Sequence, residues 1–359
     1  MDTPFLLYGA TGTVGTAIAH LAVQRGVQPI LAGRDTAKVK ALAASLNLPY
    51  RSANVTDSAA LTRMLTDVPA VLNCAGPFLY TFQPVVDACL RTGTHYLDIT
   101  GEIPVYQALA ALDQAARRRG ITILPGVGFD VVPTDCLAAH LQRRLPSATH
   151  LALAFCSEGP TAFPPGTLNT IVEMIPHRQA LRRQGGQLEP IPRTGRTRLI
   201  DFGAGPVEAT MFGWGDVYMA FVSTGIPNIE DYLVLPAPVR QGFALFDALH
   251  PLFRLSVVRA LAKRQLQAYA RTTPERRAQV RTIVWGEVRD DQGRVATARL
   301  RGPEAGVIWT AELALAAVRQ VLVGQMQPGF QTPARAFGPD FVLEHAGVTR
   351  EDLDPPAAQ

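Results

Sequence analysis

A glycine-rich turn near the start of the chain restricts its fold more than any other feature. In FLLYGATGTVG, residues 5–15, Gly9, Gly12 and Gly15 separate an apolar run from a helical pattern. The first glycine permits a tight bend, the second lets a pyrophosphate approach the backbone, and the third allows close helix–strand packing. Free N–H groups at the helix start favour phosphate binding. We interpret the segment as a dinucleotide site rather than as a tight turn without a ligand. The predicted contacts in this turn are Gly9, Thr11, Gly12, Thr13 and Val14.

Short apolar runs alternate with helical patterns through residue 128. The runs are typical of buried parallel strands, and they are FLLYGA, VQPILAG, AVLNCAG, HYLDIT and ITILPGVG, with a weaker one in YRSANV. The predicted helices cover residues 14–25, 37–46, 58–65, 84–92 and 104–119. Six strands joined by crossover helices predict a Rossmann fold.

The pattern becomes richer in strands after Pro133. It includes a hairpin, VRTIVWGEVRD–DQG–RVATARLRG, and a helix follows over 306–324. The 359 residues also exceed what one core usually supports. We expect an α/β protein with a Rossmann domain over 1–132 and an inserted α+β domain for substrate binding or dimerisation over 133–305. A C-terminal helix and tail over 306–359 would then pack back on the Rossmann domain, with 330–338 touching it.

The charge and the cysteine content of the chain argue against several classes of function. Only 18% of the residues are charged and the net charge is +4, which does not fit a basic nucleic-acid-binding tail. The four cysteines form no C-x-x-C pair, and no histidine stands at metal spacing from them, so we expect free thiols and no metal site. No apolar run approaches the roughly 18 residues of a membrane-spanning helix. We expect a cytoplasmic protein without a nucleic-acid partner.

The end of the second predicted strand indicates which dinucleotide is bound. A site specific for NAD would place an acid there, but the sequence has Gly33-Arg34. The Arg34 guanidinium would pair with a 2′-phosphate, whereas Asp35 fits the N-cap of the next helix. A charge-assisted contact of about 1.5–3 kcal/mol would favour NADP by about tenfold to a hundredfold. The alternative is a solvated residue at the helix start. Gly33, Arg34 and Asp57 complete this part of the predicted cofactor site.

Three further segments end predicted strands at the edge of the sheet where ligands bind in this fold. NCAGPF, residues 73–78, supplies the predicted cofactor contacts Ala75, Gly76, Pro77 and Phe78. YLDITGE, residues 96–102, and GVGFDVVPTD, residues 126–135, follow the next two strands. In the latter, Gly128 and Phe129 are predicted beside the nicotinamide.

The same segments hold the candidate catalytic residues, which are Asp98, Glu102 and Asp130. A carboxyl group at this edge could orient substrate or donate a proton. For Asp98 the structural alternative is a buried carboxylate with satisfied hydrogen bonds. For Glu102 it is a residue that stabilises the following helix start. Asp130 is predicted to face a cleft beside the second domain.

Taken together, these motifs resemble one family. The turn at 9–15, Gly33-Arg34, NCAGPF, HYLDITGE and GFDVVPTD are similar to those of saccharopine dehydrogenase-like oxidoreductases, which are related to saccharopine reductases and to the trans-acting enoyl reductases of mycobacterial lipid synthesis. GTLNTIVE, GWGDVYMAFVSTGIPNIEDYLV and GFQTPARAFG extend the resemblance over nearly the whole chain. It implies an NADP-binding Rossmann domain, an inserted α+β domain and a returning C-terminal segment. Phe82-Gln83 stand where many members have Gly-Glu, so an acid is missing there.

The positions of the lysines exclude one alternative, the catalytic mechanism of extended short-chain dehydrogenases. Extended short-chain dehydrogenases use Tyr-x-x-x-Lys, and here no tyrosine precedes Lys38, Lys40 or Lys263 by four residues.

The aromatic residues Phe78, Phe82, Phe129 and Trp214 predict an apolar pocket. We therefore expect an NADPH-dependent reductase that acts on a C=C or C=N bond of an apolar, lipid-like substrate. The alternative is an NADP-binding, membrane-associated protein without turnover.

Residues 239–277 form an apolar and then basic stretch that is interrupted by Pro251. Such a stretch could make a peripheral membrane contact or form a lid over an apolar substrate. The other interpretation is an ordinary helical hairpin packed on its own domain or at a homodimer interface.

Overall fold

The computed structural model divides the chain into two compact units. The first comprises Met1–Val132 and Gly306–Phe337, and the second comprises Pro133–Ala305 and Gly338–Gln359. The structure describes residues 4–159, 165–174, 181–191, 196–235, 251–267, 273–324, 326–345 and 347–353.

A seven-stranded parallel sheet forms the centre of the first unit. Its strands are β1 (Leu6–Tyr8), β2 (Ile30–Gly33), β3 (Tyr50–Ser52), β4 (Ala70–Asn73), β5 (His95–Asp98), β6 (Thr122–Leu124) and β15 (Gly329–Phe330). They lie in the order β15-β6-β5-β4-β1-β2-β3. The order reverses between β1 and β4, which is the switch point where a Rossmann fold binds its ligand. The predicted Rossmann fold is confirmed.

Helices connect the strands of this sheet. They are α1 (Thr13–Gln24), α2 (Thr36–Leu46), α3 (Ser58–Leu65), α4 (Phe82–Thr92), α5 (Ile103–Ala110) and α6 (Asp113–Arg119). Most strand residues are buried because such crossover helices cover both faces of a parallel sheet. The helix predicted over 104–119 is two helices, since the chain leaves helical geometry between Ala110 and Asp113.

The segment after residue 305 divides between the two units. A π-helical turn, Ala305–Trp309, leads into a long helix that packs against α1 and β4, and β15 pairs with β6. By length and composition Ala305–Val323 could cross a membrane, but its apolar side is buried in the first unit, as in a core helix. From Gly338 onward the chain belongs to the second unit instead. This differs from the prediction that all of 306–359 packs on the Rossmann domain.

The second unit contains a nine-stranded sheet of mixed direction. Its strands are β7 (His150–Glu158), β8 (Leu181–Gln184), β9 (Gln187–Pro190), β10 (Thr197–Asp201), β11 (Pro206–Met211), β12 (Asn228–Leu233), β13 (Arg281–Arg289), β14 (Val295–Gly302) and β16 (Thr349–Asp352). Strands β7 and β12 run parallel, whereas β13 and β14 form the predicted antiparallel hairpin. The last strand, β16, pairs with β14, which explains why the tail lies in this unit.

Helices cover part of this second sheet. The helices from Val132 onward are α7 (Val132–Arg144), α8 (Pro165–Met174), α9 (Asp216–Thr224), α10 (Ser256–Gln267), α11 (Pro274–Ala278), α12 (Thr310–Val323) and α13 (Pro333–Phe337), of which the last two belong to the first unit. Helix α7 packs closely on β13. A β-carbon added at Gly286 of β13 would lie only 2.7 Å from a methyl carbon of Leu141 in α7.

Candidate functional site

The glycine turn connects β1 to α1 with little space to spare. Gly9 has φ +83°, and a β-carbon there would lie 2.7 Å from the Ala75 amide nitrogen. A β-carbon at Gly15 would overlap the Gly9 carbonyl oxygen. Gly12 is different, because it is exposed and the nearest atom to its would-be β-carbon is 3.3 Å away. Of the three glycines, the middle one is thus the least crowded, although a β-carbon there would still be in tight contact with the Gly9 carbonyl oxygen.

The first turn of α1 is open to an anion. Gly12 is its N-cap and supplies no side-chain acceptor, so the first N–H groups of the helix are not capped by a side chain. Thr11 and Thr13 are exposed and Val14 is half-buried. The geometry of these residues fits the diphosphate of a dinucleotide, since backbone N–H groups and the helix dipole favour negative charge there.

Arg34 lies at the end of β2 and its side chain is exposed. Within the described part of the chain it forms no hydrogen bond or ion pair. Asp35 caps α2 by accepting from the Lys38 N–H at 3.1 Å, and this bond helps to lower the pKa of Asp35. The predicted N-cap at Asp35 is thus confirmed.

Two hydroxyl groups near Arg34, those of Thr36 and Ser52, were not predicted from the sequence. The Thr36 and Ser52 oxygens are 2.8 Å apart, and Ser52 donates to the Gly33 carbonyl at 3.1 Å. Thr36 begins α2, just after β2, and Ser52 ends β3, and these positions are the signal that could have identified them. Asp57, predicted as a cofactor contact, uses its carboxylate to cap α3 by accepting from the Ala60 N–H at 2.8 Å.

Glu102 fixes the loop that follows β4. Its two carboxylate oxygens accept the N–H groups of Phe78 and Leu79, each at 2.9 Å. These N–H groups begin the short 3-10 turn Phe78–Tyr80, next to the predicted cofactor contacts Ala75, Gly76 and Pro77. The predicted structural alternative, a side chain that stabilises the start of α5, is not what the structure shows, because Glu102 makes no side-chain cap there. The contacts instead give Glu102 a role in positioning the loop after β4, and not in transferring a proton.

Replacing Glu102 by Gln should separate these two roles. Gln offers one acceptor oxygen and turns an NH₂ group toward the second N–H, so we expect the free energy of unfolding to fall by about 1–3 kcal/mol. NADPH affinity should weaken several-fold and kcat should change little. Thermal unfolding, NADPH titration and steady-state kinetics measure the three effects. A large loss of kcat with unchanged stability would instead identify Glu102 as a proton donor.

Asp98 is buried at the end of β5 with its oxygens occupied. Oδ1 accepts the N–H groups of Thr100 and Gly126, both at 3.0 Å, and Oδ2 accepts the Tyr96 hydroxyl at 2.7 Å. Burial raises the pKa of Asp98 to about 6, against the lowering effect of these hydrogen bonds. Because Asp98 joins the ends of β5 and β6, the structure favours a buried, satisfied carboxylate here.

Asp130 differs from the other two candidate carboxyl groups. It follows β6, and within the described part of the chain its carboxyl group forms no hydrogen bond or ion pair. Burial alone raises its pKa to about 6. A carboxyl group without a partner is available to a ligand, which is the property that a proton donor requires.

The loop carrying Asp130 is held by the start of α12. The Phe129 N–H donates to the Thr310 hydroxyl at 3.2 Å, and the Phe129 and Trp309 rings lie 5.4 Å apart. A β-carbon at Gly128 would come within 2.9 Å of the Thr310 methyl group. Sequence reasoning missed Trp309 and Thr310 because nothing local connects them to a strand end so far upstream.

In the second unit, a buried carboxylate fixes the GWGD loop. Asp231 accepts the N–H groups of Gly213 and Trp214 at 2.6 and 2.8 Å, and burial raises its pKa to about 6. The Trp214 and Phe212 rings stack with centroids 5.2 Å apart. Trp214 is buried in this unit. The other aromatic residues of the predicted pocket, which are Phe78, Phe82 and Phe129, are buried in the first unit.

Among the described residues, no group of three or more His, Cys, Asp or Glu side chains is arranged to hold a metal ion. Cys74, beside the loop after β4, has its pKa raised by burial and by the Asp98 carboxylate, so its thiol is neutral.

Comparisons with known proteins agree with this geometry. Residues 5–124 match the family model of the saccharopine dehydrogenase NADP binding domain. A trans-acting enoyl reductase of Mycobacterium leprae is 35% identical over 148 residues, which is 39% of this chain and 35% of that protein. A saccharopine dehydrogenase-like oxidoreductase of Homo sapiens is 26% identical over 217 residues, which is 53% of this chain and 50% of that protein. The matches thus span a third to a half of these relatives.

A solved structure resembles the whole chain in fold. Apo saccharopine dehydrogenase (L-Glu forming) from Saccharomyces cerevisiae superposes with a TM-score of 0.67, covering 98% of this chain and 100% of that one at 14% identity. At that identity the likeness concerns the fold alone. The predicted cofactor, NADP, is confirmed by the family model. Residues 5–124 are therefore similar to the NADP binding domain of saccharopine dehydrogenase, and this similarity supports NADP as the cofactor of this part of the chain.

Proposed function

We propose that this protein is an NADPH-dependent oxidoreductase that reduces a C=C or C=N bond in an apolar small-molecule substrate. The observation that carries the proposal is the open glycine turn at Gly12 together with Arg34, an exposed cation without a partner in the described residues. The names of the matched relatives, an enoyl reductase and an oxidoreductase, support the reaction class. NADPH, when bound, supplies a hydride.

The residues of the first unit would bind and orient the cofactor. The uncapped start of α1 would hold the diphosphate, and Arg34 would pair with the 2′-phosphate. Glu102 holds the loop after β4 in one conformation through its two backbone hydrogen bonds. Positioning of this kind supplies much of the rate enhancement in hydride transfer.

Asp130 would donate the proton that accompanies reduction. Among the three candidate carboxyl groups it alone has no hydrogen-bonding partner in the described residues, whereas those of Asp98 and Glu102 are occupied. Burial raises its pKa to about 6, so about a tenth of the carboxyl groups are protonated at pH 7, far more than for an ordinary aspartate.

The apolar character of the substrate is inferred from the aromatic residues. Phe78, Phe82 and Phe129 are apolar side chains that end or follow strands at the ligand-binding edge of the first sheet. A charged amino-acid adduct would need several converging arginines, and these loops contain none. We therefore favour an enoyl or imine group on a lipid-like molecule.

NADPH oxidation against three substrate panels tests the proposal. We expect turnover with enoyl thioesters or with hydrophobic imines, and little with charged pairs of 2-oxo acids and amines. Turnover with the charged pairs only would overturn the apolar-substrate assignment. Tight NADPH binding without oxidation by any panel would favour the non-catalytic, membrane-associated alternative.

Replacing Arg34 by Glu tests the cofactor preference. The change removes the cation and places a negative charge near the 2′-phosphate, so we expect NADPH to bind about tenfold to a hundredfold more weakly, with NADH affinity hardly changed. Fluorescence titration of both cofactors measures the effect. Lys40→Glu, with the same charge change at an exposed position of α2, is the control and should bind NADPH normally. Equal affinity of the parent protein for both cofactors would contradict the role of Arg34.

A further inference from the structure

The segment from Pro251 to Gln267 in the second unit is packed along one side only. Phe253 is buried against Val172 of α8, and Val258 and Ala262 of α10 pack on this small cluster. Beside it, the Glu173 carboxylate pairs with Arg259 at 3.2 Å and with Lys263. One side of α10 is thus occupied by contacts within its own unit.

The other side carries four large aliphatic side chains in solvent. Leu252 and Leu255 are 50% and 59% exposed, and Val257 and Leu261 of α10 are 76% and 59% exposed. At 100° per residue, Val257, Leu261 and Arg264 fall within a stripe about 60° wide. We call Leu252, Leu255, Val257 and Leu261 the aliphatic patch. Exposed aliphatic residues concentrated on one short segment are unusual for a surface that faces only water.

The charges within the segment that carries the aliphatic patch all have one sign. Residues 251–267 contain four cations and no acid. Arg259 and Lys263 share one carboxylate, that of Glu173, whereas Arg254 and Arg264 are exposed and form no ion pair within the described part of the chain. An aliphatic surface with unpaired guanidinium groups is complementary to an apolar layer covered by anions.

We propose that the aliphatic patch docks on an anionic lipid bilayer, with its side chains at the boundary between headgroups and acyl chains and with Arg254 and Arg264 against the headgroups. Helices that lie in a membrane interface combine leucines with Lys or Arg. Arg264 lies within the same stripe as Val257 and Leu261, and its long side chain can extend from there to the headgroups. Protein interfaces rely instead on Trp, Tyr and Arg, and Leu and Val are under-represented among their energetic centres. The patch has no exposed aromatic residue, which favours lipid over a protein partner. The surface is independent of the reaction proposed above.

Vesicle binding by the full chain tests this docking surface. We expect the protein to sediment with phosphatidylcholine–phosphatidylglycerol vesicles at low salt, much less with phosphatidylcholine alone, and less as salt is added. Leu261→Asp should reduce the partition coefficient at least tenfold. Arg264→Gln should reduce it about fivefold, since a cation near an anionic surface contributes roughly 1 kcal/mol. Leu199→Asp changes a side chain that is 70% exposed on β10, and it should bind as the parent does.

Two results would overturn the proposal. One is no binding of the parent protein to anionic vesicles at low salt. The other is equal vesicle binding by the parent and Leu261→Asp, and a smaller oligomer of this variant in analytical ultracentrifugation would then assign the patch to contact between two copies. NADPH titration and thermal unfolding of every variant check that the fold is intact.

Discussion

Replacing Asp130 by Asn should lower the rate of substrate reduction by about 10²–10⁴-fold, the usual contribution of a positioned acid. Asn keeps the shape of the side chain but has no carboxyl proton to donate. NADPH affinity should stay within about twofold, because the cofactor contacts at Gly12 and Arg34 are unchanged. Single-turnover oxidation of bound NADPH measures the chemical step, and titration measures affinity. Full activity of the variant would assign the proton to solvent.

The pH dependence of the parent protein should follow the same group. Burial raises the pKa of Asp130 to about 6, and only the protonated form can donate. The rate of reduction should therefore be highest below this pH and should fall as the pH rises through about 6. The Asn variant should lack this step in its residual rate. A parent profile that is flat from about pH 5 to about pH 8, roughly one unit below to two units above this pKa, would contradict the assignment.

The stability of the Asp130→Asn variant should change in the opposite sense to its activity. The pKa of Asp130 is raised on folding, so the folded state holds the proton more tightly than the unfolded chain does. That contribution is fully present below about pH 4 and is lost as pH rises through about 6. Removing the carboxyl group should thus raise the free energy of unfolding by about 1–3 kcal/mol at neutral pH, with little difference near pH 4. Such a gain would mark a group that is kept for function at the expense of stability.

The sequence predicted the parts of this site that depend on neighbours along the chain. The turn at Gly9, the cap at Asp35 and the β13–β14 hairpin each follow from a few consecutive residues with fixed backbone requirements. The Rossmann strand order could also be predicted, because parallel strands with crossover helices allow few arrangements. These features need no knowledge of distant contacts.

Contacts between distant residues explain what the sequence could not predict. The helix predicted over 104–119 is broken, and Asp113, at the start of α6, accepts the Phe330 N–H from the two-residue strand β15 at 2.8 Å. That two-residue strand has no local signature, although contact of 330–338 with the Rossmann domain was predicted. Likewise, the carboxylates of Glu102 and Asp231 accept backbone N–H groups from other segments. The sequence alone does not reveal whether an acidic side chain transfers a proton to a ligand or accepts hydrogen bonds from the backbone of a loop.

Alanine substitutions at Gly12 and Gly15 should affect different properties of the same turn. Gly15→Ala should lower stability, whereas Gly12→Ala should lower NADPH affinity. At Gly15 the added β-carbon would overlap the Gly9 carbonyl oxygen and lie 2.9 Å from the Ala10 α-carbon, so α1 would have to move away from β1. We expect Gly15→Ala to lower the free energy of unfolding by about 2–3 kcal/mol, as overpacking of a backbone contact does. Thermal or chemical unfolding measures this loss.

At Gly12 the nearest atom to the added carbon is 3.3 Å away, and φ −77° with ψ 166° is open to alanine, so the fold should tolerate the change. The same carbon would occupy the space through which a diphosphate reaches the start of α1, and NADPH affinity should fall by about a hundredfold. Gly166→Ala, at an exposed glycine of α8 with open space around it, is the control and should change neither property. If Gly12→Ala bound NADPH like the parent protein, the diphosphate could not lie against this turn, and Arg34 would lose the anchor that places the 2′-phosphate beside it.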